Sequence, residues 1–228
     1  IFLYPYFSFK HIKKNTLIKI GFEDLVLKVI GKTFKSLECI VSNSGYLDSN
    51  KGVHIHGKID LPAITNKDYK ALKISKKYNI KYFALSFANS KESVREFRKI
   101  VGKNKFIISK IETLNAIDDL KKICKSSNAL LIDRGDLSRY VPIEKIPLIQ
   151  EYIIKVSNKY KRPTYVATNL LETMVTQRSP TRAESNDIYS TLKQGAKGLV
   201  LAAETAIGSF PVDCVKFMKR CITIYKKN

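Results

Sequence analysis

Short apolar segments alternate with helical segments from about residue 61 to the end of the chain. The apolar segments predict strands at 82–87, 106–110, 129–132, 164–167 and 198–201. The segments between them have apolar residues at helical spacing and capping residues at their ends, which predicts helices. Asn89 with Glu92 predicts the start of one helix, and Gly102 predicts its end. Buried strands that alternate with helices predict a parallel sheet covered on both faces.

The first quarter of the chain has a different pattern. Residues 17–29 and 34–41 are rich in Ile, Leu and Val, and turn-forming residues follow at 42–45 and 48–52. No helical period is visible in this region. We therefore predict a small β-rich domain at 1–58, followed by a larger domain of strands and helices at 59–228.

Polar residues at the carboxyl ends of the strands distinguish between two folds with parallel sheets. A doubly wound sheet and a (β/α) barrel both fit the alternation of strands and helices. The polar residues at the strand ends are Lys110, Glu112, Arg134, Asp136, Thr168, Glu204 and Thr205. Because a barrel gathers these ends around one mouth, we predict an α/β fold with a TIM-type (β/α) barrel. The five visible strands are too few to close such a barrel, so we expect a partial one.

The strand ends also carry the candidate chemistry. Residues two apart in a strand face the same side, so Lys110 and Glu112 are expected to point together into the mouth. A mutual salt bridge would explain this pair, but Asp136 repeats the pattern after the next strand. Two carboxylates from neighbouring strands suit one hard divalent ion such as Mg²⁺. Gly135 would let the backbone approach a ligand, and a helical turn starting at Asp136 would offer free N–H groups to an anion.

Composition and charge change this picture little. The net charge of +21 would fit a nucleic-acid-binding protein. The lysines are spread along the predicted helices, however, so we interpret them as a solvated basic surface and predict no nucleic-acid partner. The apolar segment 1–10 is too short to cross a bilayer, so no membrane association is expected. The four cysteines form no CxxC pair, which favours free thiols and a cytoplasmic protein.

Six motifs of the chain resemble those of the pyruvate kinase family. They are IISKIE at 107–112, RGDL at 134–137, PIEK at 142–145, ATNLLETM at 167–174, PTRAE at 180–184 and ETAIG at 204–208. The resemblance extends over about residues 17–225. It implies a glycolytic phosphotransferase that converts phosphoenolpyruvate and ADP to pyruvate and ATP. It also implies that 1–58 is the C-terminal part of the family's B domain, that 60–63 returns to the barrel, and that 59–228 is the second part of that barrel.

The resemblance assigns roles to individual residues. Glu112 and Asp136 match the ligands of a divalent ion, Mg²⁺ or Mn²⁺, and Lys110 matches the lysine that neutralises charge on the transferring phosphoryl group. Lys110 and Thr168 are the expected catalytic residues. The positions expected to bind the substrate are Arg134, Gly135, Asp136 and Thr168. Lys51 matches a B-domain lysine near the nucleotide phosphates, although an ordinary turn lysine fits that position equally well. K⁺ is a further candidate cofactor, but its family ligands have no counterpart in this chain.

The sequence departs from the family pattern at several positions. Asp133 stands where the family usually has a small residue, and an added carboxylate there is unfavourable unless Arg134 or Lys110 pairs with it. Asn169 replaces a Gln, and Ala202 with Ala203 replaces a Ser-Gly pair. Phe-Glu-Asp-Leu at 22–25 replaces an Asp-Asp-Gly-Leu turn.

These departures leave alternative functions open. A metal and a lysine would also suit a lyase or aldolase that passes through a pyruvate enolate and needs no nucleotide. A non-catalytic homologue that binds metabolites is the third alternative. The first barrel strands and the regulatory domain of the family have no counterpart here. We therefore expect the protein to be a homo-oligomer or a part of a longer chain.

Overall fold

The computed structural model describes residues 1–4, 9–21, 25–33, 35–55 and 64–227. The chain divides into two compact units, Ile1–Asp68 and Tyr69–Asn228. The predicted boundary after residue 58 and the predicted return segment 60–63 both lie outside the described residues. So do residues 22–24 of the predicted turn at 22–25.

The first unit contains an antiparallel sheet of four strands in the order β3-β2-β1-β4. Its strands are β1 Leu17–Ile20, β2 Val26–Lys32, β3 Leu37–Asn43 and β4 Val53–Ile55. In β1, Ile18 and Ile20 are buried and Lys19 between them is exposed, which is the period of two expected for a half-buried strand. Together with Ile12, Leu25, Val29 and Ile55, these two isoleucines form a hydrophobic core.

The second unit contains a parallel sheet whose five strands follow one another in sequence order. The strands are β5 Tyr82–Leu85, β6 Phe106–Ile111, β7 Ala129–Asp133, β8 Thr164–Ala167 and β9 Gly198–Val200. The predicted α/β class and parallel sheet are thus confirmed. Within the described residues, β5 and β9 form the two edges of this sheet.

One helix precedes the first strand of the second unit, and the other helices follow its strands. They are α1 Asn66–Lys77, α2 Lys91–Val101, α3 Leu114–Asp118, α4 Leu120–Ser126, α5 Arg134–Leu137, α6 Ile146–Lys159, α7 Arg182–Lys193, α8 Ala203–Ala206 and α9 Pro211–Lys227. None of the helices in the described part of the chain is long and apolar enough to cross a membrane. The prediction of Asn89 as a cap was wrong, because Ser90 is the N-cap of α2 and Ser93 is its reciprocal partner. Asn89 instead accepts a hydrogen bond from the Thr113 hydroxyl.

Burial alternates along β6 and gives the sheet two distinct faces. Ile107, Ser109 and Ile111 are fully buried, whereas Lys110 between them is only partly buried. Ile111 pairs in register with the fully buried Ile132 of β7. The apolar residues therefore fix the register of the strands, and a one-residue slip would bury Lys110 in place of Ile111.

Candidate metal centre

The centre of the candidate site is the ammonium group of Lys110. Its Nζ lies 2.6 Å from Glu112 Oε1 and 3.0 Å from Asp133 Oδ2. Lys110 pairs in register with Leu131, two residues before Asp133, so the strand period places Lys110 and Asp133 on the same face. The structure therefore brings Lys110 and Glu112 together, as expected. It also places Asp133 in contact with Lys110, as a further member of the site.

Glu112 is held rigidly at the end of β6. The residue is only 1% exposed, and its Oε2 accepts a hydrogen bond of 2.5 Å from the backbone N–H of Phe87. Phe87 has a φ of 50°, a left-handed conformation that turns its N–H toward the carboxylate. Burial raises the pKa of Glu112; the Lys110 ammonium group and the Phe87 N–H oppose this rise without cancelling it.

Asp133 and Asp136 complete an acidic cluster with Glu112. One carboxylate oxygen from each of the three residues lies within 4.8 Å of the other two. Asp136 Oδ1 is also 3.3 Å from Arg139 Nε. Burial and the neighbouring charge of Asp133 raise the pKa of Asp136. The ionised form of Asp136 is thus less stable here than in water.

Lys110 remains a cation in this setting. Burial alone would lower its pKa, but the hydrogen bonds and charges of Glu112 and Asp133 more than offset that effect, and its pKa is raised. A protonated amine therefore faces the acidic cluster at neutral pH.

The short helix α5 begins earlier than expected. It starts at Arg134 rather than Asp136, because the Asp133 side chain caps it by accepting from the Asp136 N–H at 3.4 Å. The Gly135 N–H donates to Thr168 Oγ1 at 2.8 Å. The Asp136 N–H, which was expected to be free for an anion, and the Gly135 N–H are therefore both bound by side chains of this chain.

Arg134 and Thr168 hold the loop after β8. The Arg134 guanidinium donates twice to the Thr168 carbonyl oxygen and once, at 2.7 Å, to Asp187 Oδ2. Thr168 has a φ of 71°, which is unusual for a β-branched residue. The contacts of Arg134 thus stabilise a strained backbone beside the acidic cluster, a role that the sequence did not predict.

Two other residues singled out in the sequence are Lys51 and Glu204. Lys51 lies in the first unit, exposed in the segment between β3 and β4. Glu204 is 1% exposed, and its carboxylate accepts from the backbone N–H groups of Leu171 and Ala202 at 3.0 and 2.7 Å. Glu204 therefore stabilises the loops after β8 and β9.

The residues of the cluster fit a divalent cation. Carboxylate oxygens are the donors that Mg²⁺ and Mn²⁺ prefer. Glu112 Oε1 is buried, and its partner is the Lys110 ammonium group at 2.6 Å. Burial raises the pKa values of Glu112 and Asp136, and a further positive charge beside them would stabilise their ionised forms. The sequence analysis identified Glu112 and Asp136 as metal ligands but noted Asp133 only as a difference from the family pattern. The position of Asp133 at the end of β7, beside the other strand ends, could have indicated that it belongs to the cluster.

Comparison with known proteins gives a consistent result. The family model described as "Pyruvate kinase, barrel domain" matches residues 7–215. A pyruvate kinase of Thermotoga maritima is 35% identical over 215 residues, which are 92% of this chain and 46% of the relative. One of Methanocaldococcus jannaschii is 34% identical over 92% of this chain and 47% of its own length. One of Staphylococcus aureus is 36% identical over 89% of this chain and 35% of its own length. The chain spans less than half the length of these relatives.

Proposed function

Because the chain belongs to the pyruvate kinase family, we propose that it transfers a phosphoryl group between phosphoenolpyruvate and ADP, with pyruvate and ATP as products. The observation that carries this proposal is the Lys110 ammonium group, which contacts carboxylates from the ends of two neighbouring strands. Phosphoryl transfer depends mainly on positioning and on positive charge near the transferring group. The cluster around Lys110 is built to supply both.

Glu112 and Asp136 are the proposed ligands of Mg²⁺ or Mn²⁺. Bound there, such an ion supplies positive charge to the phosphoryl and enolate oxygens. The Phe87 N–H holds one oxygen of Glu112 and leaves the other directed at Lys110. This arrangement orients the carboxylate before any ligand arrives, which lowers the cost of reorganisation.

The chain's own groups provide the remaining steps. Lys110 keeps its proton and stabilises the charge that develops on the phosphoryl group and on the enolate. Arg134, Gly135, Asp136 and Thr168 are the proposed substrate contacts. A substrate carboxylate at Gly135 would take over the N–H that now donates to Thr168 Oγ1. The Thr168 hydroxyl now donates to the Ala167 carbonyl oxygen. It would turn from that oxygen to donate its proton to the enolate, and it would recover a proton from solvent.

The proposal is tested by ADP-dependent formation of pyruvate from phosphoenolpyruvate, measured with the purified chain and with Lys110→Met. Loss of the ammonium charge should lower kcat by about 100-fold or more, with a much smaller effect on substrate binding. Lys121→Met removes the same charge from an exposed position on α4 and should leave kcat unchanged. Equal turnover of the wild type and Lys110→Met would refute the role of Lys110.

A second candidate reaction is supported by the location of the cluster. Lys110, Glu112, Asp133 and Asp136 all belong to the second unit, so the first unit contributes none of these groups. Enolisation of pyruvate by a lyase or aldolase requires a cation and a proton-transfer group but no nucleotide. Metal-dependent exchange of deuterium into the pyruvate methyl group, without ADP and without phosphoenolpyruvate turnover, would select this reaction. Binding of pyruvate with neither reaction would select a metabolite-binding homologue.

The wider assignments are proposals of the same kind. We assign 1–58 to the end of a B domain, 59–228 to the second part of a barrel, and Lys51 to the nucleotide phosphates. A cytoplasmic location agrees with four free cysteines, which a reducing compartment maintains. A homo-oligomer or a longer chain would provide the barrel strands beyond β5 and β9.

A further inference from the structure

A cavity of about 250 Å³ lies between α6 and α7, and none of its lining residues belongs to the Lys110 cluster. Residues of α5, α6 and α7 line it, among them Arg134, Ile146, Pro147, Gln150, Asp187 and Ser190. At about 30 Å³ for a water-sized group, the cavity has room for a molecule of about eight non-hydrogen atoms. It is therefore large enough for a small organic ligand.

A buried amide in the cavity wall has one hydrogen-bonding atom that is not used. Gln150 is only 4% exposed. Its Nε2 donates to Thr191 Oγ1 at 3.1 Å and to Gln194 Oε1 at 2.8 Å. Its Oε1 accepts no hydrogen bond from the described residues. Because a buried carbonyl oxygen without a donor costs free energy, this atom favours a ligand that donates a hydrogen bond.

Asp187 provides a second acceptor close to Gln150. The Thr191 hydroxyl, which accepts from Gln150, also contacts Asp187 Oδ1 at 3.5 Å, so one hydroxyl joins the two side chains. The other carboxylate oxygen, Oδ2, pairs with Arg134 at 2.7 Å. Asp187 Oδ1 thus has one long hydrogen bond among the described residues and can accept another.

The charge of the cavity wall is balanced. Arg134 and Asp187 are the charged side chains among the lining residues, and they pair with each other. A ligand with a net charge would leave one charge without a partner, which is costly beside partly buried groups. An uncharged ligand avoids that cost. Ile146 and Pro147 offer apolar surface to the carbon atoms of such a ligand.

We propose that the cavity between α6 and α7 binds a small uncharged molecule that carries a primary amide group on an apolar body. The two N–H groups of the amide donate to Gln150 Oε1 and Asp187 Oδ1. The Ser190 hydroxyl donates to the carbonyl oxygen of the amide. The apolar body lies against Ile146 and Pro147.

The cavity shares Arg134 with the candidate metal centre. Arg134 pairs with Asp187 in the cavity wall and also donates to the Thr168 carbonyl oxygen. A ligand that contacts Asp187 therefore touches the partner of the arginine that holds Thr168. Binding in the cavity requires neither a metal ion nor phosphoenolpyruvate, so it is independent of the proposed reaction.

The test is a titration of the isotopically labelled chain with benzamide, followed by nuclear magnetic resonance of the amide groups. Benzoate and benzamidine have nearly the same shape as benzamide but carry a negative and a positive charge. Benzamide should shift the signals of the Gln150 side-chain amide and the Ser190 backbone amide until they saturate. Both charged probes should bind at least about 10-fold more weakly.

Two variants and a matched control locate the binding. Gln150→Leu removes the acceptor at similar size and should weaken benzamide binding about 10-fold. Ala183→Phe fills the cavity from an exposed position on α7, so it should abolish binding and leave the fold intact. Ala71→Phe adds the same side chain at an exposed position on α1 and should bind benzamide as the wild type does.

Three results would overturn the assignment of this cavity. One is the absence of saturable shifts at Gln150 and Ser190. Another is benzamide binding that both variants leave unchanged. The third is binding of benzoate or benzamidine as tight as that of benzamide. Saturable benzamide binding by a chain that forms no pyruvate would support the cavity site and refute the kinase, whereas turnover without benzamide binding would do the reverse.

Discussion

At the scale of single residues, the site depends on side chains that hold backbone groups in unusual conformations. Phe87 and Thr168 both have positive φ values, and each lies directly beside the acidic cluster. The N–H of Phe87 binds Glu112, and the carbonyl oxygen of Thr168 binds Arg134. Positive φ costs free energy at a residue with a side chain, so these contacts stabilise a geometry that the isolated loops would avoid.

The Thr168 hydroxyl contributes to this geometry, and its removal is testable. Thr168→Val keeps the shape and the branched Cβ but leaves the Gly135 N–H without its acceptor, which should lower the free energy of unfolding by about 1–3 kcal/mol. Thr168→Ser keeps the hydroxyl and serves as the control, within about 0.5 kcal/mol of the wild type. Urea unfolding followed by circular dichroism measures both. Equal stability of the Val variant and the wild type would contradict this account.

Part of the site could be predicted from individual residues. The strand period alone places Lys110 and Glu112 on one face, and the structure has them in contact. For Asp133 the sequence left two possible partners open, Arg134 and Lys110, and the structure has Lys110. Whether a carboxylate there is tolerated depends on which cation reaches it, and Lys110 approaches it from a different strand. The Arg134–Asp187 pair, which joins α5 to α7, was missed for the same reason.

At the scale of elements, short apolar segments predicted the five parallel strands. Burial follows this prediction in β6, β7 and β8, whereas the edge strand β5, expected to be buried, exposes Tyr82, and β9 is only partly buried. Helix ends were predicted less well. The apolar pattern of 116–124 fits one helix, but the structure has two, α3 and α4, which meet at Asp119. The Asp119 carboxylate accepts from the Lys91 N–H of α2 at 2.7 Å and pairs with Lys122. The spacing of apolar residues within one segment cannot predict a contact of this kind, because the contact joins residues far apart in the sequence.

A capping box at the start of α7 allows a prediction about acid stability. Glu184 accepts from the backbone N–H groups of Thr173 and Thr181, and also from the Thr173 hydroxyl. Burial would raise the pKa of Glu184, but these hydrogen bonds outweigh it, and the pKa is lowered. The unfolded chain therefore binds the proton more readily than the folded one. The resulting stabilisation is present above the ordinary pKa of glutamate and is lost as the pH falls through the lower value in the folded state.

Glu184→Gln should remove this dependence. Near neutral pH, the wild type should have the higher free energy of unfolding, and the difference from the Gln variant should be largest there. As the pH falls from about 5 to 3, the wild type should lose more of its free energy of unfolding than the variant does, so the difference should shrink. Denaturant unfolding at a series of pH values measures the difference. The control is Glu144→Gln. The Glu144 side chain is exposed and makes no hydrogen bond or ion pair with the described residues. Parallel pH profiles for the wild type and Glu184→Gln would exclude the proposed linkage.

At the scale of the whole molecule, the two units have separate hydrophobic cores. Ile18 belongs to the core of the antiparallel sheet, and Ile132 is fully buried in the parallel sheet. The composition of the two regions indicated this division, since the β-rich pattern stops before the alternation of strands and helices begins. The structure divides the chain after Asp68, and the predicted boundary after residue 58 lies outside the described residues.

Substitutions in one core should act mainly on that unit. Ile132→Ala should cost about 2–5 kcal/mol and accelerate amide hydrogen exchange across β6 to β8, with little change in β1 to β3. Ile18→Ala should have the opposite distribution. Hydrogen exchange followed by mass spectrometry resolves the two regions. Uniform acceleration across both sheets by either substitution would show that the units unfold as one.

The two edges of the parallel sheet have a practical consequence for handling the protein. Backbone groups along β5 and β9 lack a neighbouring strand within the described residues, and such edges favour pairing between molecules. The net charge of +21 keeps molecules apart at low ionic strength. Dissolved salt screens that repulsion without affecting the edges. Concentrated stocks should therefore stay clear in dilute buffer and become turbid in the salt-rich solutions that usually keep basic proteins in solution.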